Sequence, residues 1–472
     1  MFFQQIFEEK LAQYAYLVGC QKSGEAIIVD PMRDIDRYQK IAAKNKLKIV
    51  AAAETHIHAD YLSGLRELAE SGVKILVSDE GDKDWKYEWV IGSKYDHQLL
   101  KDGDEFNIGN IKFTTVYSPG HTPEHISFLV TDGATTDEPM GLLSGDFVFV
   151  GDVGRPDLLE TAAGEVGAMD ESAKTLYKSI EKFKKMPEYL QLWPGHGAGS
   201  ACGKALGAVP ESTVGYEQRF NGSIKAAISE KDFVDYILDG QPEPPLYFAR
   251  MKRDNKQGPK ILGETPVPEK KSIQSMIGAT RTSNAVILDT RSDRTAFMNS
   301  HIQGSLYAPF NKTFNTIAGS YISEDEDIYL IIDENKIDEA VIDLIRIGLD
   351  NIKGYASPED LEEFGKQGET LFSTKIIDFN NVDELMPTGD FNLLDVRKSS
   401  EFSEGHHPKA LNISHTRLVD RLEEIPTDKP VLVHCKSGAR AAAASALLEK
   451  EGFVVEYIND AVDPWLEESI KN

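Results

Sequence analysis

Cysteine is scarce in this chain: Cys20, Cys202 and Cys435 are the only three, far apart and without a CxxC pair. An odd, scattered set argues against a disulfide framework and a thiolate zinc site, and it fits a reducing compartment. Positive charge is also in short supply, with 51 Lys and Arg against 77 Asp and Glu and a formal net charge of −26. So acidic a surface argues against nucleic acid or an anionic membrane as partner, and serves solubility instead. No uninterrupted apolar run approaches membrane-span length, and residues 1–10 lack a basic lead followed by an apolar stretch. Neither a membrane span nor a secretory signal is expected, and the predicted location is cytoplasmic. What remains is a globular composition, 41% hydrophobic and 27% charged over 472 residues, and that length suits about three domains.

Residues 1–240 alternate short β-rich runs (24–30, 46–53, 73–78, 111–117, 126–131, 142–150) with helical stretches. One such helix follows His58, where Leu62, Leu65, Leu68 and Ala69 share a face. Pro242, Pro244, Pro245, Pro259, Pro266 and Pro268 then interrupt any single regular element, so residues 251–265 read as an inter-domain arm. Beyond the arm the chain repeats itself. Val286-Ile287-Leu288-Asp289-Thr290-Arg291 returns as Leu393-Leu394-Asp395-Val396-Arg397, and Phe297 with His301-Ile302-Gln303-Gly304 returns as Phe402 with Gly405-His406-His407. Each copy continues into a buried strand (328–332 and 430–434) and then a helix (336–349 and 439–450). A repeat of roughly a hundred residues is too long for a solenoid unit and marks tandem domains, each a small doubly wound α/β fold.

Three stretches in the first part end in a residue fit to hold a metal: Thr55-His56-Ile57-His58-Ala59-Asp60, Ser118-Pro119-Gly120-His121 and Leu143-Ser144-Gly145-Asp146. Each follows an apolar run, so each ligand hangs on a loop at a strand end. Two histidines and a carboxylate with open positions form the facial set that non-haem iron(II) uses to activate O2. His56, His121 and Asp146 are the candidates. A dinuclear zinc site needs more ligands. His58, Asp60 and His196 (in Trp193-Pro194-Gly195-His196-Gly197) supply part of one. Tyr61, however, stands where a further histidine is needed, and a neutral phenol is a poor replacement. With one metal, His58, Asp60, Tyr61 and His196 instead surround the ligands and orient them, with bound water, through hydrogen bonds. His97 and His125 lack such company and read as structural.

These motifs resemble the metallo-β-lactamase superfamily. With Gly154-Arg155-Pro156-Asp157 they resemble its persulfide dioxygenases, relatives of glyoxalase II, over about residues 1–250. The resemblance implies an αββα sandwich, one Fe(II) per chain on His56, His121 and Asp146, and oxidation of a thiol persulfide by O2 to sulfite. It also places the family's substrate-side arginine on Arg155, which would hold an anionic group of the thiol carrier. Tyr61 departs from the pattern, since many members keep a histidine there; the departure weakens a hydrolase reading and leaves the iron set intact.

Val433-His434-Cys435-Lys436-Ser437-Gly438-Ala439-Arg440 puts a cysteine directly after a buried strand and before a helix. Inward backbone N–H groups and the helix N-terminus stabilise negative charge there, and Lys436 and Arg440 add cations, so the thiol is set up to react as a thiolate. With Leu394-Asp395-Val396-Arg397 and Glu401-Phe402, the loop resembles the rhodanese sulfurtransferases over residues 374–472. That resemblance implies that Cys435 takes up a sulfane sulfur and passes it to a nucleophile, with Lys436, Ser437, Gly438, Ala439 and Arg440 cradling the substrate. A six-residue loop from Cys435 to Arg440 suits sulfur; the related phosphatases carry one residue more. Asn459-Asp460-Ala461-Val462 departs from the glycine pair many rhodaneses have before the tryptophan, here Trp465. The matching loop of the first copy, Asp333-Glu334-Asn335-Lys336-Ile337-Asp338, has no thiol and carries acids that repel an anion. Residues 266–371 therefore resemble a rhodanese without sulfur-transfer ability, a spacer or docking surface. Cys202 either relays persulfide at the mouth of the iron site or packs as a buried thiol, and Cys20 reads as core.

The expected architecture is α/β and multidomain: an N-terminal αββα metallo-β-lactamase sandwich (1–250), the arm, an inactive rhodanese-like domain (266–371) and an active rhodanese domain (374–472). The expected chemistry joins persulfide oxidation to sulfite with sulfur transfer through Cys435 to give thiosulfate, detoxifying sulfide or persulfide. Tethering both sites on one chain raises the local concentration of the shared product. Expected partners are a low-molecular-weight thiol persulfide, O2, sulfite and thiosulfate, with self-association as a dimer or tetramer. The alternatives are a dinuclear zinc thioester hydrolase of glyoxalase II type, or a sulfur-carrier scaffold.

Overall fold

Successive side chains of a strand go to opposite faces, and in Gln13–Cys20 and Glu25–Val29 both faces are apolar and buried. Leu17 and Ile28 point one way, against Tyr38, Leu65 and Leu68 of two helices. Val18 and Ile27 point the other way, against Phe113, Phe128 and Leu143 of a second sheet. That second sheet turns Leu142 and Leu192 outward onto Leu176, Ile180 and Phe183 of the helix Ala168–Phe183. The layers are helix, sheet, sheet, helix: the expected αββα sandwich. Each sheet has six strands, the first from Phe2–Glu8 to His97–Leu100 in chain order, the second containing Ile111–Tyr117, Ile126–Asp132, Gly141–Gly145 and Gln191–Pro194.

This computed structural model describes residues 1–161, 167–204 and 206–469, and the chain divides into two compact units, Met1–Gly263 and Glu264–Asn472. Among the described residues no helix is long and apolar enough to cross a membrane. The arm expected over 251–265 is in part a helix, Tyr247–Gln257, built into the first unit. The gap between Pro245 and Pro259 leaves room for about three helical turns, and Phe248 and Met251 bury one face of it. The strand expected over 142–150 also stops early, at Gly145, and that break brings Asp146 off the sheet edge.

The second unit holds two five-stranded parallel sheets. The first is ordered Glu269–Lys270, Ile352–Ala356, Asp327–Ile331, Ala285–Asp289, Leu306–Tyr307; the second is ordered Lys375–Ile377, Val455–Ile458, Val431–His434, Asn392–Asp395, Ala410–Asn412. In chain order both read first, fifth, fourth, second, third. The duplication extends to single hydrogen bonds. Asp289 takes a two-pronged grip from Arg291 Nε and Nη2, and the same Nη2 donates to Ser300 O at 2.8 Å; Asp395, Arg397 and Gly405 O repeat this, again at 2.8 Å. His301 and His406 each place Nδ1 2.8 Å from the carbonyl four residues earlier and stack on Phe297 and Phe402.

The helix Ala439–Lys450 has no polar stripe. Ala441, Ala442, Ala443, Ala444, Ala446, Leu447 and Leu448 are all buried, as expected of a helix with walls on every side. Its own sheet covers it through Val431–His434 and Val455–Ile458, and the first repeat covers it through Leu306–Tyr307 and Arg294–Asn299.

Candidate functional site

Four strands of the first unit stop just short of the metal-ligand candidates: Lys48–Ala53, Ile111–Tyr117, Gly141–Gly145 and Gln191–Pro194. Their loops converge, and among the described residues two trios could each hold a metal ion: His56, His121 and Asp146, and Asp60, His196 and Cys202. Asp146 Oδ2 lies 3.5 Å from His121 Nε2 and 3.9 Å from His56 Nε2. The far side of each ring is committed. Thr55 donates its hydroxyl to Asp30, so its oxygen accepts from His56 Nδ1 at 2.9 Å. His121 Nδ1 donates to Arg155 O at 2.9 Å. Both Nε2 lone pairs therefore face Asp146. Burial lowers the pKa of both histidines, keeping them neutral as ligands must be. Burial pushes Asp146 up, but His196, His56 and His121 outweigh it and hold its pKa well below the usual carboxylate range.

His196 stands between two carboxylates, Nδ1 2.8 Å from Asp146 Oδ1 and Nε2 2.8 Å from Asp60 Oδ2. Burial opposes its charge, yet the two carboxylates raise its pKa well above the imidazole value. His196 thus ties Asp146 to Asp60, holding the Asp146 carboxylate from its Oδ1 side. Gly195 permits that approach, since a Cβ there would sit 2.5 Å from Asp146 Oδ1. His58 Nε2 is 3.2 Å from Asp30 Oδ1; burial pulls its pKa down, but the Asp30 hydrogen bond and charge prevail and leave it raised to about 9. Tyr61 is fully buried, its ring tilted against His58 at 4.4 Å and its hydroxyl held by Gln13 at 3.2 Å. Cys202 is buried beside Asp60 and His196, and burial with the Asp60 and Asp146 charges raises its pKa, so its thiol stays protonated.

Arg155 meets the site differently from the expectation. Its guanidinium is 1% exposed and already bonded to both Asp157 oxygens at 2.8 and 2.6 Å, and to the carbonyls of Ala201 and Pro242. The side chain clamps loops together, and its backbone carbonyl meets the trio through His121.

Three residues at the site escape a reading by motif. His125, expected to be structural, accepts from Asp146 N at 3.0 Å and stacks on His56 at 5.0 Å. Asp30, in the left-handed region at φ +53, accepts from Thr55 N at 2.8 Å; its place after Val29 at a strand end was the visible signal. Asn255 comes from the helix between Pro245 and Pro259 and donates to His58 O (2.8 Å) and Tyr61 O (2.7 Å), while accepting from Ser63 N at 2.9 Å. Asn255→Ala strands those buried groups, so a loss of about 2–3 kcal/mol is expected, read as a lower urea midpoint for the first unit.

Cys435 is buried at the end of Val431–His434, and Gly438 begins the helix Ala439–Lys450 with φ +90. Arg440 donates to Glu401 at 2.8 Å, and its guanidinium lies close enough to Cys435 for the two to interact electrostatically. Burial pushes Glu401 up, but Arg440 outweighs it and lowers the carboxyl to about 2. Lys436, Ser437 and Ala439 are exposed at the rim. In the first repeat the register moves the matching loop back by one residue: Asp289 pairs with Ile331 as Asp395 pairs with His434, so Ile332, not Asp333, occupies the place of Cys435. The site there has no thiol, as expected.

Residues 9–196 match the metallo-beta-lactamase superfamily, and residues 378–468 match the rhodanese-like domain. Bovine "Persulfide dioxygenase ETHE1, mitochondrial" is 29% identical over 199 residues, 41% of this chain and 67% of that protein. A "Beta-lactamase hydrolase-like protein" of Xylella fastidiosa (strain 9a5c) is 28% identical over 252 residues, and the match spans only 53% of its length. The crystal structure of a metallo-beta-lactamase from Staphylococcus aureus subsp. aureus COL is 40% identical, covering 76% of this chain and 99% of that one with a TM-score of 0.68. With the sandwich and the converging ligand loops already in place, this chain belongs to the metallo-beta-lactamase superfamily.

Proposed function

We propose that the chain is a persulfide dioxygenase carrying its own sulfurtransferase. One observation supports the oxygenase half above all: Asp146 Oδ2 is buried and has no hydrogen-bond partner among the described residues, while two neutral imidazoles turn Nε2 toward it. An orphaned carboxylate oxygen inside a protein is costly unless something cationic completes it. The donor set fits one Fe(II) on His56, His121 and Asp146. Bound there, such an ion leaves positions open to activate O2. The net reaction is RSSH + O2 + H2O → RSH + SO3²⁻ + 2H⁺. His196 holds the second oxygen of Asp146, Thr55 and the Arg155 carbonyl fix the imidazole tautomers, and Asp60 anchors the far nitrogen of His196.

In the sulfurtransferase half, the Cys435 thiolate attacks the outer sulfur of RSSH, the S–S bond breaks, and RS⁻ leaves. The product Cys435–SS⁻, once deprotonated, gives its outer sulfur to SO3²⁻, forming S2O3²⁻ and restoring the thiolate. Arg440 carries the neighbouring positive charge. Homology to a persulfide dioxygenase and the rhodanese-like match at 378–468 favour this pairing.

The second trio, Asp60, His196 and Cys202, is what favours a dinuclear zinc hydrolase. Against it stand the doubly bonded His196 and the phenol at Tyr61. Metal analysis with an oxygen electrode separates the two. One iron per chain and O2 uptake driven by glutathione persulfide are expected; two zincs per chain with thioester hydrolysis and no O2 uptake would refute the oxygenase.

A further inference from the structure

The repeat without a thiol reaches into the loop of the repeat that has one. Arg294 opens the helix Arg294–Asn299 of the first repeat. Its Nε donates to Asn459 Oδ1 at 2.9 Å and its Nη2 to Ser437 O at 2.9 Å, the second of these inside the Cys435 loop. Thr295, the next residue, has its hydroxyl 3.4 Å from Asn459 Nδ2. The Tyr457 hydroxyl lies 2.9 Å from Asn459 Oδ1 and 3.1 Å from Gly438 O. Two consecutive carbonyls of the loop, Ser437 and Gly438, are thus held from outside it. Gly438 sits at φ +90, and a Cβ there would come within 2.7 Å of both Asn459 Oδ1 and Tyr457 OH.

That arrangement has a chemical meaning. A loop that stabilises an anion must aim its N–H groups inward, and each carbonyl that turns toward the anion opposes it. Pinning the Ser437 carbonyl on a guanidinium keeps its dipole outward and adds a fixed positive charge behind the loop. Only a planar fork spans a carboxamide oxygen and a backbone carbonyl on two different segments; a lysine is a single point charge. The seat is firm because the catalytic helix Ala439–Lys450 packs against Leu306–Tyr307 and Arg294–Asn299, and because His301 Nε2 lies 3.4 Å from Glu449 Oε2 on that helix.

We propose that Arg294 is a positioning residue for sulfur transfer at Cys435, so that the thiol-less repeat completes the site rather than serving as a spacer. The inference rests on the reading of Cys435 as the sulfur-accepting nucleophile.

The test uses the full chain, with thiosulfate as donor and cyanide as acceptor. Cys435–S⁻ takes the outer sulfur while SO3²⁻ leaves, and CN⁻ then removes it as SCN⁻. R294M is expected to lower kcat about 10-fold, the scale on which loss of alignment acts, and to slow alkylation of Cys435 by iodoacetamide to a similar degree. KM for thiosulfate should change less, because the anion's direct partners remain. R294K, which keeps the charge and loses the fork, is expected to fall between R294M and the wild type. Wild-type kcat and alkylation rate in both variants would overturn the proposal; if R294M fails to fold, judged by its melting transition, R294K alone decides in the same way. C435S separates the two levels. Transfer retained in C435S removes the nucleophile reading itself, whereas transfer lost in C435S but intact in the Arg294 variants removes only the role of Arg294.

Discussion

His121→Ala is expected to abolish metal binding and oxygen uptake together. The imidazole contributes one of three donors, and its Nδ1 is the partner of the Arg155 carbonyl. Removing it leaves a two-donor remnant and an unpaired buried carbonyl. Loss of an outer partner alone typically costs roughly 10- to 100-fold in metal affinity, and loss of a ligand exceeds that. Two independent readouts check this. Elemental analysis after iron loading should find the variant nearly empty. Added Fe(II) should raise the melting temperature of the wild type, because a ligand that binds only the folded state stabilises it, and should leave the variant unmoved. Persulfide-driven O2 uptake persisting in His121→Ala would exclude this trio as the oxygenase centre.

Cys435→Ser is expected to leave O2 consumption near the wild-type rate and change the product. Cys435 lies in the second unit, on a loop far along the chain from the trio in the first. A serine hydroxyl is a far weaker nucleophile at neutral pH than a thiolate and does not form the persulfide. Sulfite should therefore accumulate where the wild type releases thiosulfate. Ion chromatography of the products is the measurement, and an unchanged thiosulfate yield would remove Cys435 as the transfer nucleophile.

Much of this was readable in the chain before any fold was known, for a physical reason. His56, His121 and Asp146 each directly end an apolar strand or follow it within a few residues, and strands of alternating or continuous hydrophobicity announce themselves. The cysteine loop was legible likewise, because strand, cysteine, glycine and alanine-rich helix come as one contiguous run. What stayed hidden depends on contacts between distant segments. The partners of Arg155 are spread over Asp157, Ala201 and Pro242, and no local pattern reveals that its side chain is already engaged. His125 has no motif of its own, and Asn255 arrives from a stretch whose prolines disguised a helix. The one-residue offset of the empty loop is a matter of strand register, which only pairing fixes.

The run of buried alanines from Ala441 to Ala444 has a consequence for how such a protein can be rearranged by evolution. Side chains this small let neighbouring backbone come close on every flank, so each enlargement there is a collision on one side or the other. A copy of the cysteine-bearing repeat cut loose from its sibling would carry a bare greasy flank and stick to itself. The two repeats therefore share one seam, and recombination that moves one without the other uncovers apolar surface on it.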